Sequence, residues 1–133
     1  MDAFLTRDAL RTLQAVALLS GSAGPAGVLL GHVRGGRYLI EAIVAGENAK
    51  ASSLEVQTRL DDLDPGRVIG FFVFSPTVAG RRAFAKPHAC GKLFLAVKKG
   101  RSGGLGFKGY HIDYDGRFVF LPVAVNREGK MKK

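Results

Sequence analysis

Tryptophan is absent from this chain of 133 residues, and cysteine occurs once, as Cys90. A lone thiol excludes an internal disulfide framework and suits a reducing compartment, so a cytoplasmic location is expected. Long apolar runs are missing too. The longest, Ala15–Leu19 and Val68–Phe74, fall far short of the roughly 20 residues that a membrane-crossing helix needs, and no membrane partner is expected. Asp2 and Asp8 stand where a secretory leader would be basic, so none is expected.

Acid is the most telling shortage. Residues 65–112 contain nine Lys and Arg and no Asp or Glu, whereas residues 1–64 hold six basic and eight acidic groups. The net charge of +9 therefore comes from the middle of the chain. Wherever that segment surfaces, it raises the local potential and favours polyanions or acidic partners. With 47% hydrophobic and 23% charged residues the composition is globular. The length suits one domain that buries about two-thirds of its unfolded surface. We assign residues 1–126 to that domain and 127–133, with Lys130, Lys132 and Lys133, to a basic tail.

Periodicity outlines the elements. Thr6 or Asp8 can cap a helix to about Leu19, because Leu10, Leu13, Val16 and Ala17 recur at helical spacing and Gly21 stops it. Ala26–Val33 reads as a buried strand, and Gly35-Gly36 turns it into Arg37–Ala45. Ser52 with Glu55 could open a short second helix to about Leu63, while Leu54–Thr58 could equally be a strand. Asp64-Pro65-Gly66 is a turn, Val68–Phe74 a strand, and residues 77–91 are irregular. Lys92–Lys98, Gly106–Asp113 and Arg117–Val125 are strands, the last two joined by Asp115-Gly116. Pro122 places the last strand at an edge or a bulge. The expectation is an α+β domain: a mixed, largely antiparallel sheet of about six strands with one N-terminal helix and room for a second short one.

Catalytic signals are thin. Gly104–Gly109 matches GxGxxG, but a strand and not a helix follows, so the pyrophosphate of a dinucleotide would find no helix N-terminus. His88 and Cys90 lie two apart, yet His32 and His111 stand in no ligand spacing to them, and zinc needs three or four convergent groups. Asp61, Asp62 and Asp64 are explained by their turn, as is Asp115.

Several segments together resemble the JAB/MPN metalloprotease-like family. Ala26–His32 (AGVLLGH) is similar to that family's glycine-bounded strand after the first helix, and Arg37–Val44 to its partner. Val68–Pro76 (VIGFFVFSP) resembles the strand that in active members carries two zinc-binding histidines, and Leu93–Val97 with Gly109–Val125 resembles the closing strands. The resemblance puts Val73 and Ser75 at the histidine positions and sets the upstream glutamate near Gly24. No acid follows Pro76 before Asp113. Val, Ser and Gly side chains hold no zinc and take no proton from its water. The resemblance thus implies a metal-free, non-catalytic member without cofactor, a scaffold for a protein partner or a second copy of itself.

The alternative is a nucleic-acid-binding domain. Arg81, Arg82, Lys86, Lys92, Lys98, Lys99, Arg101 and Lys108 alternate with Phe84, Phe94, Phe107 and Tyr110. Cations neutralise phosphate and exposed rings stack on bases. The candidate anion-facing set is Arg81, Arg82, Lys86, Lys98, Lys99 and Arg101.

Overall fold

A computed structural model describes residues 1–19, 26–45, 67–75, 91–100 and 104–125. In chain order these form β1 (Asp2–Leu5), α1 (Arg7–Leu19), β2 (Ala26–Arg34), β3 (Arg37–Ala45), β4 (Val68–Phe74), β5 (Leu93–Lys99), β6 (Leu105–Ile112), β7 (Phe118–Leu121) and β8 (Val123–Val125). The segments offered as a second helix, and nearly all of the irregular stretch 77–91, lie outside the described residues, as does the basic tail.

Local chemistry explains the start of α1. The Thr6 hydroxyl accepts from the Ala9 amide at 3.3 Å, the bond by which an N-cap satisfies an orphan helix donor. Asp8 sits in the first turn, where the helix dipole favours a negative charge. Ala9, Leu10 and Leu13 are buried on one stripe, with Val16 and Ala17 packed beside them. Among the described residues no helix is long and apolar enough to cross a membrane.

The strands form one sheet in the order β7-β6-β5-β4-β2-β3-β1-β8. β2 pairs antiparallel with both β3 and β4. β4 and β5 run parallel, and β5, β6 and β7 make an antiparallel meander. β1 lies parallel to both β3 and β8. Gly35 and Gly36, at φ 60° and 78°, turn β2 into β3, the left-handed pair that a tight hairpin requires.

The expected six-strand α+β sheet is therefore corrected. Among the described residues the chain is mostly β, with eight strands in a nearly closed, barrel-like sheet and one helix. Two features make the difference. β1 has only four residues, with Ala3 and Leu5 buried in alternation, and is too short to show against the helix cap that follows. The run 117–125, expected as one strand, is two. β7 pairs with β6 at one edge of the sheet and β8 pairs with β1 at the other. Pro122 stands at the changeover; it has no amide hydrogen to give to a ladder, and its carbonyl accepts from the Ala3 amide at 2.9 Å. One stretch of chain thus ties both edges together, which removes most of the edge problem of an open sheet.

The two faces of the sheet bury separate apolar clusters. Leu5, Leu29, Ile40, Phe72, Leu93, Leu95 and Leu121 fill the inner side beneath α1. Val28, Val68, Phe71, Phe94 and Ile112 form the outer cluster. Tyr38, 1% exposed, places its hydroxyl 2.7 Å from both the Gly91 carbonyl oxygen and His111 Nδ1. A phenol has one hydrogen. Donating it to Gly91 requires His111 to carry its proton on Nδ1 and to donate to the phenolic oxygen. This chain of bonds ties β3 to the start of β5 and to β6. Tyr38→Phe removes both of these part-buried bonds, so a loss of about 1 kcal/mol is expected in urea unfolding. An unchanged midpoint would mean that the bonds are replaced by water.

Candidate functional site

Alternation along β5, β6 and β7 assembles a surface that none of the strands carries alone. On β5, Phe94 belongs to the outer cluster and Ala96 packs against it, so Lys98, two residues on, faces the same way. On β6, Tyr110 packs against that cluster, and Lys108 shares its face. On β7, Phe118 does the same, and Phe120 follows on that face. The register puts Phe94 opposite Tyr110 and Tyr110 opposite Phe120. Three rings therefore form one row across three strands. Beside that row Lys108 pairs with Ala96, and Lys98 pairs with Gly106.

The row is graded from core to solvent. Phe94 is fully buried, Tyr110 and Phe118 are half-buried, and Phe120 is 65% exposed. Tyr110 meets Phe120 edge to face at 6.0 Å, and Phe118 meets Phe94 at 5.3 Å, the tilted geometry that ring quadrupoles prefer. Phe120 is thus held by a ring rooted in the core while its outer side stays open. No acidic side chain lies among these face residues.

The anion-facing set expected from the sequence is divided by the fold. Lys98 and Lys99 are both exposed, but as neighbours on β5 they point to opposite faces. Lys108, which was part of the interleaved pattern, joins Lys98. Lys92 is committed elsewhere, its ammonium donating to the Val68 carbonyl. Phe107 packs on the inner cluster and not on the outer face. Arg81, Arg82, Lys86 and Arg101 lie outside the described residues, as do Phe84, His88, Cys90 and Gly24. Phe118 and Phe120 were missed because they fall after residue 112, beyond the acid-free segment. Their two-residue spacing on a strand was the available signal.

At the end of β4, Val73 is half-buried against the outer cluster. Ser75 is exposed, with φ 50°, and its amide donates to the Val97 carbonyl at 2.8 Å. Among the described residues no three His, Cys, Asp or Glu side chains come together as a metal site. The GxGxxG stretch runs into β6 itself. Asp113 and Asp115 are occupied by their turn. Asp113 Oδ1 accepts from the Tyr114 amide at 2.9 Å, and Asp115 Oδ2 meets Arg117 Nε at 2.7 Å.

A second constellation lies at the β2–β3 hairpin. Leu30 pairs with Ala42 and Gly31 with Ile40, which leaves Glu41 as the extra residue of a β-bulge. Bulges re-aim side chains, and here Glu41 Oε1 meets His32 Nδ1 at 2.8 Å and Arg67 Nη1 at 3.1 Å. Nearby, Arg37 Nε and Nη2 each donate to the Asp2 carboxylate at 3.0 Å. Those hydrogen bonds hold the Asp2 carboxyl below its ordinary value. A lowered folded pKa contributes stability above the unfolded value, and the contribution is lost as pH falls through the folded one. A carboxyl titration followed by NMR should show Asp2 with a midpoint below that of a free aspartate, returning to the ordinary value in Arg37→Gln. Equal midpoints in both proteins would contradict the pairing.

No protein-family model matches the chain, and no curated protein is similar to it. Its backbone is similar to the solution structure of protein DSY2949 from Desulfitobacterium hafniense, a structural-genomics target. The TM-score is 0.72 and the identity 16%, over 95% of this chain and 94% of that one. At that identity the likeness concerns the fold alone.

Proposed function

We propose that this protein is a non-catalytic binding module whose outer β5–β7 face takes single-stranded nucleic acid. The exposed Phe120 and half-buried Tyr110, backed by the buried Phe94 and flanked by Lys98 and Lys108, are the observation that carries the reading. Rings in register on a sheet face stack unpaired bases, and lysines beside them neutralise the phosphates that run past. Duplex DNA keeps its bases stacked on each other and offers those rings nothing. The excess of nine positive charges adds long-range attraction. The single Cys90 suits the reducing cytoplasm, where we place the module.

Fluorescence anisotropy with a labelled oligo-dT of about 12 nucleotides tests this. Binding is expected at about 50 mM salt, weakening linearly with the logarithm of salt concentration, with a hairpin duplex of equal charge bound more weakly. Absence of binding at that salt would remove the proposal.

A second reading is a metal-free relative of the JAB/MPN hydrolases that acts as a scaffold for a protein partner or a second copy. Its support is Val73, which presents an apolar group to the outer cluster where the resemblance would put a ligand. A concentration-dependent dimer in light scattering, without oligonucleotide binding, would favour that reading.

A further inference from the structure

Independently of the outer face, we propose that the groove at the β2–β3 hairpin binds a small molecule through a compact anionic headgroup, a phosphate or a carboxylate, held by Arg34 and His32. The groove, open to solvent on one side, offers about 800 Å³ between Asp2, His32, Arg34, Arg37, Leu39 and Glu41. That volume falls within the range of small-ligand sites.

Charge accounting gives the sign of the ligand. Both carboxylates of the groove are already engaged. Asp2 is held by both arms of the Arg37 fork, and Glu41 Oε1 is shared by His32 and Arg67. Arg34 stands directly opposite Arg37 in the hairpin register, and like charges facing each other across a pair are unfavourable. Asp2 neutralises Arg37, and Arg34 has no carboxylate among the described residues. An incoming anion would balance the remaining charge of Arg34.

His32 supplies the second contact. It lies two residues before Arg34 on β2, so both side chains leave the same face. Its Nδ1 is committed to Glu41, which fixes the ring's orientation and turns Nε2 outward, as a carboxylate partner does for a working histidine. Arg67 on the same Glu41 oxygen holds that carboxylate in place. In the imidazolium form Nε2–H donates to an anion, while the guanidinium fork of Arg34 offers two parallel donors to a phosphate or carboxylate. At the hairpin tip Gly35 adds no side chain to crowd the ligand, and a β-carbon built there meets nothing within 4 Å.

The test follows the His32 ring by NMR at constant pH and ionic strength. Inorganic phosphate and citrate are titrated separately, with chloride as the control. A saturable shift of the His32 resonances is expected, with affinity falling at least tenfold in Arg34→Ala and partly kept in Arg34→Lys. Phe120→Ala should leave it unchanged, which separates this site from the nucleic-acid face. Saturation by phosphate alone identifies a phosphorylated ligand, and saturation by citrate alone a carboxylate. Linear shifts, or shifts that chloride reproduces, would mean an adventitious ion only and would overturn the proposal.

Discussion

Gly70→Ala is expected to lower the thermal midpoint by about 10 °C, corresponding to about 3 kcal/mol at the upper end of overpacking costs. A β-carbon at Gly70 would overlap the backbone carbonyl oxygen of Leu93. The obstacle is main chain on the paired strand β5, so no rotamer change relieves it, and a close-packed interior transmits the shift. The site sits where β4 carries an extra residue, Ile69, against β2, so both neighbours of β4 would be disturbed. Gly104→Ala is the control, since nothing lies within 4 Å of a β-carbon there. Circular dichroism melts of the two variants should differ by most of that 10 °C. Equal midpoints would contradict the close approach of β4 and β5.

Phe120→Ala is expected to weaken oligonucleotide binding by about 1–3 kcal/mol, roughly 5- to 150-fold, the usual worth of one stacked base. Phe120 is mostly exposed, so its loss should leave the melting temperature nearly unchanged and the binding effect can be read directly. Replacing Lys98 and Lys108 by glutamine acts differently. Affinity should fall for every sequence, and the salt slope should flatten by about 0.7 per lost phosphate contact. If Phe120→Ala binds as the parent does while the lysine variant fails, the interaction is electrostatic only and the stacking row plays no part in it.

How far the sequence reveals these features depends on how local their causes are. The β2–β3 hairpin was legible because Gly35-Gly36 is a short-range turn signal. So was the β6–β7 turn at Asp115-Gly116, where the Arg117 amide donates to Asp115 Oδ1 at 3.2 Å. The central strand β4 announced itself by continuous hydrophobicity, since both of its faces are covered. Barrel closure was not legible. It rests on a four-residue strand and on the changeover at Pro122, and both make sense only once the far edges of the sheet meet. An α+β sheet of six strands was the reading that local pattern allowed.

The sites follow the same rule. Phe94, Tyr110, Lys98 and Lys108 were visible as a basic and aromatic pattern, but sequence order could not say that Lys99 and Phe107 leave the other face. The hairpin register puts His32 opposite Leu39, so Glu41, two residues on, is its diagonal neighbour on the same face, a contact made by strand pairing and not by any spacing along the chain. In the sequence His32 therefore stands as a lone histidine, and only the folded hairpin brings its carboxylate to it.

The most direct test of the outer face is NMR mapping of the aromatic side chains as oligo-dT is added. Upfield ring-current shifts of the Phe120 and Tyr110 ring protons are expected to saturate together, with Lys98 and Lys108 perturbed alongside and the Tyr38–His111 contact unchanged. Saturable binding that leaves the Phe120 and Tyr110 rings unshifted would contradict base stacking on this face.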